Sequence, residues 1–100
     1  MYVTIQHFNG CPNWLEAVEN VEQAIERGGL ESEVQLQLIT SPEQAEALEF
    51  RGSPTILIDG RDPFADSNAP VGLSCRIYQT PQGPAGSPTV EQLTAVLSGS

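Results

Sequence analysis

The chain has 100 residues, of which 39% are hydrophobic and 17% charged, and this length is typical of one domain. Thirteen acidic residues face four arginines without any lysine, which gives a net charge of −9. Nucleic acids and anionic membranes are bound through basic side chains, so the charge disfavours both as partners. The chain also lacks an apolar run of the roughly 18 residues of a membrane span and an N-terminal signal-peptide pattern. We therefore expect one cytoplasmic domain over residues 1–100.

Hydrophobic periodicity predicts four strands and three helices. Glycines after Arg27 end the first helix, and serine or threonine caps begin the other two. In chain order we predict a strand at 2–8, a helix at 14–27, a strand at 33–40, a helix capped by Ser41 that ends near Arg51, strands at 54–59 and 74–80, and a helix capped by Thr89 that ends at Leu97.

The order β-α-β-α-β-β-α predicts an α/β fold. The first β-α-β unit indicates a parallel pair of strands joined by a right-handed crossover. The third and fourth strands follow each other directly, which favours an antiparallel pair with a long connection at residues 60–72. We expect a four-stranded mixed sheet with helices on both faces.

Cys11 lies between the first strand and the first helix, in the run Asn-Gly-Cys-Pro-Asn-Trp at residues 9–14. A thiol at a helix N-terminus faces unpaired backbone N–H groups and the positive end of the helix dipole, which lower the thiol pKa. The position therefore indicates a reactive cysteine. A small buried residue in a strand-to-helix turn is the alternative, because free cysteines are often buried.

Cys11 at this junction, together with Ser53-Pro54-Thr55 at the start of the third strand, resembles the thioredoxin–glutaredoxin family. The order of elements is similar over about residues 2–97. The resemblance implies a thioredoxin-like fold, a nucleophilic Cys11 and a cis peptide bond at Ser53–Pro54 beside it. In that family the backbone of the residue before the proline pairs with the bound thiol substrate. The expected substrate-binding residues are Ser53, Pro54, Pro12 and Trp14.

Trp14 stands where the family's Cys-x-x-Cys motif has its second cysteine. The resemblance therefore implies single-thiol chemistry, in which Cys11 attacks a disulfide or an oxidised thiol and an outside thiol resolves the mixed disulfide. Segments 10–14 and 72–76 are also similar to small bacterial thioredoxin-like proteins sometimes named after alkylmercury lyase. We expect a protein or small-molecule thiol or disulfide as partner, and no cofactor.

Two other functions remain open. The fold could serve as a non-catalytic protein-binding module in which Cys11 is vestigial. Alternatively, Cys11 and Cys75 together could capture a soft metal or an organomercurial, because thiolates are ligands that soft metals prefer.

Cys75 is a secondary thiol, and strand alternation places it on the side opposite Arg76. Packing in the core is its more ordinary role. For a sheet of order 2-1-3-4, two strand spacings of roughly 9–10 Å separate the first strand from the fourth, which exceeds the reach of a disulfide. We therefore expect Cys11 and Cys75 not to form an intramolecular disulfide.

His7 precedes Cys11 by four residues and could act as its base. It shares a strand face with Val3 and Ile5, so packing is the favoured role. The aspartates of the 59–66 loop lack the spacing of a calcium-binding loop, and we expect no metal site there.

Overall fold

The structure is a computed structural model that describes residues 1–65 and 69–99. Its elements are, in chain order, β1 (Tyr2–His7), α1 (Trp14–Gly28), β2 (Glu33–Leu38), α2 (Pro42–Ala47), β3 (Thr55–Ile58), β4 (Tyr78–Thr80), β5 (Gly83–Ala85) and α3 (Val90–Ser98). Among these residues, no helix combines the length and the apolar character that crossing a membrane requires.

The main sheet has the strand order β2-β1-β3 and is mixed. β1 and β2 run parallel, with Val3 opposite Val34, and this confirms the predicted β-α-β unit. β1 and β3 run antiparallel, with Val3 opposite Ile58. The α/β class is therefore as predicted, with β1 in the centre of the sheet.

The predicted fourth strand of this sheet is wrong. Of residues 74–80, only Tyr78–Thr80 form a strand, and they pair with β5 in a separate antiparallel hairpin rather than with β3. Upstream of β4, Cys75 forms an isolated parallel bridge with Ser53. The neighbouring Arg76 is 7% exposed, and its ion-pair partner is Asp62 in the long loop.

The hydrophobic core lies between the sheet and two helices, α1 and α3. Their amphipathic sequences place small and branched side chains on the faces that pack together and against β1 and β3. The buried members of this cluster are Val3, Ile5, Ala17, Val21, Ala24, Ile56, Ile58, Leu93 and Leu97. A smaller cluster of Ile39, Ala45 and Phe50, with Phe8 and Leu73 against it, lies around α2.

Both predicted helix caps are present. The Ser41 hydroxyl accepts a hydrogen bond from the Gln44 N–H at 3.1 Å. The Thr89 hydroxyl accepts one from the Gln92 N–H at 3.1 Å, and the Gln92 side chain accepts one from the Thr89 N–H at 3.0 Å. This reciprocal pair is a capping box, and it satisfies N–H groups that the first turn of α3 otherwise leaves open.

Replacing Thr89 with alanine removes the capping box, so we expect the Thr89→Ala protein to lose about 1 kcal/mol of unfolding free energy in urea. The effect is global because α3 carries Leu93 and Leu97 into the main core. Ser98→Ala, at the exposed C-terminal end of the same helix, is the control and should change stability little. Equal effects of the two substitutions would contradict the role given to the cap.

Candidate functional site

Cys11 and Cys75 are joined by a disulfide across 64 residues of sequence, with their Cα atoms 5.8 Å apart. The prediction that these cysteines do not pair is therefore wrong. It placed Cys75 in a fourth strand two strand spacings away from β1. The structure places Cys75 before β4, on a stretch of chain that passes beside Ser53.

We call this stretch, Ser74–Arg76, the crossing segment. Its position is set by two backbone hydrogen bonds to Ser53, one on each side of Cys75. The Ser53 N–H donates to the Ser74 carbonyl at 2.7 Å, and the Arg76 N–H donates to the Ser53 carbonyl at 2.9 Å. Cys75 thus lies opposite Ser53, next to the end of β1 that leads to Cys11.

The two cysteines differ in their contact with solvent. Cys11 is completely buried, whereas Cys75 is exposed. The Cys11 Sγ lies 3.6 Å from the Ser53 carbonyl oxygen, and its own N–H donates to the Phe8 carbonyl at 3.4 Å. In the disulfide-bonded protein, Cys75 is therefore the cysteine that solvent reaches, whereas Cys11, which the resemblance implied to be the nucleophile, is closed off from solvent.

The Ser53–Pro54 peptide bond is cis, as predicted. Both residues are buried, and their polar groups are bonded to neighbouring elements. The Ser53 hydroxyl accepts a hydrogen bond from the Phe8 N–H at 3.4 Å, and the Tyr78 hydroxyl donates to the Pro54 carbonyl. Burial raises the pKa of Tyr78 well above its ordinary value, so this hydroxyl keeps its proton and remains a donor.

The other two predicted substrate-binding residues lie at the start of α1. Pro12 is exposed, and Trp14 is half-buried. The Trp14 ring stacks on His7, with ring centroids 4.2 Å apart and an angle of 23° between the planes. The structure thus gives Trp14 a packing contact, and its predicted role in substrate binding stays a prediction.

His7 is 7% exposed, which confirms the prediction that it packs. Its Nδ1 atom is buried and has no hydrogen-bond partner in the described part of the chain. Because burial disfavours the charged imidazolium, the pKa of His7 is lowered from its ordinary value. The folded protein therefore keeps this imidazole neutral to a lower pH than the unfolded chain does.

Sequence reasoning missed Arg76 as part of the site. Its guanidinium donates to the Asp62 carboxylate at 2.6 Å and to the Phe64 carbonyl, and it lies 4.6 Å from the centre of the Tyr78 ring. The only available signal was the alternation that places Arg76 opposite Cys75, and the structure confirms that alternation. Nothing in the sequence marks Asp62 as its partner.

Residues 1–65 and 69–99 contain no group of three His, Cys, Asp or Glu side chains arranged to hold a metal ion. Within the acidic loop, Asp62 pairs with Arg76, and the Asp59 side chain accepts a hydrogen bond from the Tyr2 N–H at 2.8 Å. Asp66 lies outside the described residues.

Comparisons of the chain with models of protein families, with curated proteins and with solved structures found no match.

The buried His7 predicts a dependence of stability on pH. Below about pH 6.5 the unfolded chain takes up a proton that folded His7 resists, so the unfolding free energy falls as the pH falls below about 7. His7→Phe keeps an aromatic ring against Trp14 but has no imidazole to titrate. Its unfolding free energy should therefore lose the part of the decline with falling pH that His7 causes. Urea unfolding at several pH values measures it, and equal slopes for the two proteins would contradict the assignment.

Proposed function

We propose that this chain is a thioredoxin-like protein that carries out thiol–disulfide exchange, with Cys11 and Cys75 as its redox pair. The observation that supports the proposal is a disulfide between one buried and one exposed cysteine. The strand order β2-β1-β3, with Cys11 between β1 and α1, agrees with the thioredoxin-like arrangement. Cys75, rather than an outside thiol, supplies the second sulfur.

Exposure determines which sulfur an incoming thiol can reach. Exchange requires direct approach of a thiolate to one sulfur of the disulfide, and the other sulfur then leaves as a thiolate. Because Cys11 is completely buried and Cys75 is exposed, the attack falls on Cys75 and Cys11 is the leaving group. Cys11 precedes α1 by three residues, where the positive end of the helix dipole lowers the cost of its negative charge.

The proposed reaction oxidises a dithiol substrate in two steps. A substrate thiolate attacks the Cys75 Sγ, the Cys11–Cys75 bond breaks, and the Cys11 thiolate takes up a proton. The second thiolate of the substrate then attacks the substrate sulfur of this mixed disulfide and releases Cys75. The substrate gains a disulfide, and two electrons and two protons pass from it to the cysteine pair.

Single-cysteine variants test which sulfur reacts. Cys11→Ser leaves an exposed thiol, and Cys75→Ser leaves a buried one. We expect Cys11→Ser to react with an aromatic disulfide reagent at least about tenfold faster than Cys75→Ser, measured by the absorbance of the released thiolate. In denaturant the two rates should converge, which is the control for intrinsic reactivity. A faster Cys75→Ser protein would contradict the assignment and restore Cys11 as the nucleophile.

Turnover tests the function itself. We expect the wild-type protein to accelerate the transfer of a disulfide from oxidised glutathione to a reduced dithiol peptide, because its cysteine pair accepts and passes on both electrons. Either serine variant should lose most of this acceleration, and Ser74→Ala, which changes neither sulfur, should retain it. The measurement follows the oxidised peptide by reversed-phase chromatography. A wild-type rate equal to the rate without protein would contradict the proposed function.

A further inference from the structure

Arg76 is a buried charge that the exchange chemistry does not use. It is 7% exposed in a chain whose other arginines are more accessible to solvent. Burial of a charged side chain is unfavourable unless the charge is paired and its donors are hydrogen-bonded. The contacts of Arg76 therefore account for its position, and they connect three separate parts of the molecule.

The guanidinium holds the crossing segment to the loop after β3. Its Nη1 and Nη2 atoms donate to the two Asp62 carboxylate oxygens at 2.6 and 3.4 Å, and Nη2 also donates to the Phe64 carbonyl. A two-point contact between a guanidinium and a carboxylate restricts the orientation of both groups. The Tyr78 ring lies beneath the guanidinium, at 4.6 Å, and limits its movement on that side.

The backbone of Arg76 holds the same segment to Ser53. The 2.9 Å hydrogen bond from its N–H lies one residue from Cys75, so whatever locates Arg76 also locates Cys75. The approach is so close that a Cβ atom added at Gly52 would lie 2.9 Å from the Arg76 Cβ. Gly52 has a φ of +119°, which favours glycine as well. The crossing segment thus packs directly on the Gly52–Ser53 backbone.

We propose that Arg76 is the positioning residue of the redox pair, keeping Cys75 beside Cys11 when their disulfide is reduced. The proposal rests on the proposed function for its biological purpose. The contacts of Arg76 with Asp62, Phe64 and Ser53 involve no sulfur atom, so reduction removes the S–S bond and leaves them in place. When Cys75 forms a mixed disulfide with an oxidised partner such as glutathione disulfide, the neighbouring Cys11 thiolate attacks the Cys75 Sγ at a high effective concentration and releases the outside thiol, so the Cys11–Cys75 disulfide closes again readily.

The ion pair and the disulfide therefore stabilise the same location of the crossing segment. Because they do so together, loss of the ion pair makes the disulfide easier to reduce. The structure contains a matched control for the charge change. Arg61 is exposed in the same loop, and the hydrogen bonds described for it involve its backbone.

The test is the redox equilibrium of the cysteine pair with mixtures of reduced and oxidised dithiothreitol, followed by alkylation and mass spectrometry. For Arg76→Met we expect the equilibrium constant for disulfide formation to fall about tenfold, which is about 30 mV for a two-electron couple. Arg61→Met removes the same charge and should stay within about twofold of wild type. An Arg76→Met constant within about twofold of wild type would overturn the proposal.

A second variant guards against a failure to fold. Arg76→Met alone leaves Asp62 without its partner, whereas Arg76→Met combined with Asp62→Asn removes both charges and keeps an acceptor for the Phe64 N–H. Far-UV circular dichroism of the reduced protein checks that it is folded. We expect the same roughly tenfold change in the double variant. If the double variant unfolds on reduction, Arg76 serves the fold rather than the cysteine pair, and the proposal is overturned.

The equilibrium measurement is independent of turnover, because slow exchange still reaches equilibrium. If Arg76→Met shifts the equilibrium constant for disulfide formation but the wild-type protein shows no turnover, the positioning role is supported and the proposed function is contradicted. If the wild-type protein shows turnover but its equilibrium constant does not change in Arg76→Met, the proposed function is supported and the positioning role is contradicted. The two proposals therefore fail separately.

Discussion

The two hydrogen bonds between Ser53 and the crossing segment place Cys75 beside Cys11. They are a single isolated bridge rather than part of a continuous strand pairing. A bridge of this kind adds little to the stability of the fold by itself, because the net contribution of one hydrogen bond is only about 1 kcal/mol. The segment therefore needs further attachment, which the disulfide to Cys11 and the ion pair of Arg76 with Asp62 provide.

The hydrophobic core supplies the rigid side of this arrangement. Buried aliphatic side chains hold β1 and β3 against α1 and α3. Cys11 follows the end of β1, and Ser53 precedes the start of β3. The partner Cys75 comes instead from a stretch with an exposed Ile77 and a polar ion pair. Cys11 thus lies next to the packed core, whereas Cys75 lies on a more exposed segment. This arrangement suits a disulfide that is reduced by attack on one of its two sulfurs.

The sequence predicted the elements in which local signals and hydrophobic pattern agree. The glycine stop of α1, the Thr89 capping box and the parallel β1–β2 pair depend on residues close together in sequence or on a clear period, and they are confirmed. The cis bond at Ser53–Pro54 followed from the resemblance and is also confirmed. The helix stop and the cap involve short-range backbone chemistry, and the β1–β2 pair follows from the crossover rule for a β-α-β unit.

The fourth strand and the disulfide were not predictable by the same means. The alternation of residues 74–80 fits a strand, but alternation does not identify the neighbour of a strand. The decisive contact is the buried pair of Arg76 and Asp62, and charged side chains are ordinarily assigned to the surface. Once Arg76 is placed inward, Cys75 faces outward beside Ser53 and within reach of Cys11.

Peptide mapping under non-reducing conditions tests most directly whether Cys11 and Cys75 pair with each other. The protein is equilibrated with oxidised glutathione, its free thiols are alkylated, and it is digested with trypsin. Cleavage after arginine leaves Cys11 in peptide 1–27 and Cys75 in peptide 62–76. We expect one disulfide-linked species containing both peptides from a monomeric protein. Separate peptides, each alkylated or bound to glutathione, would contradict it.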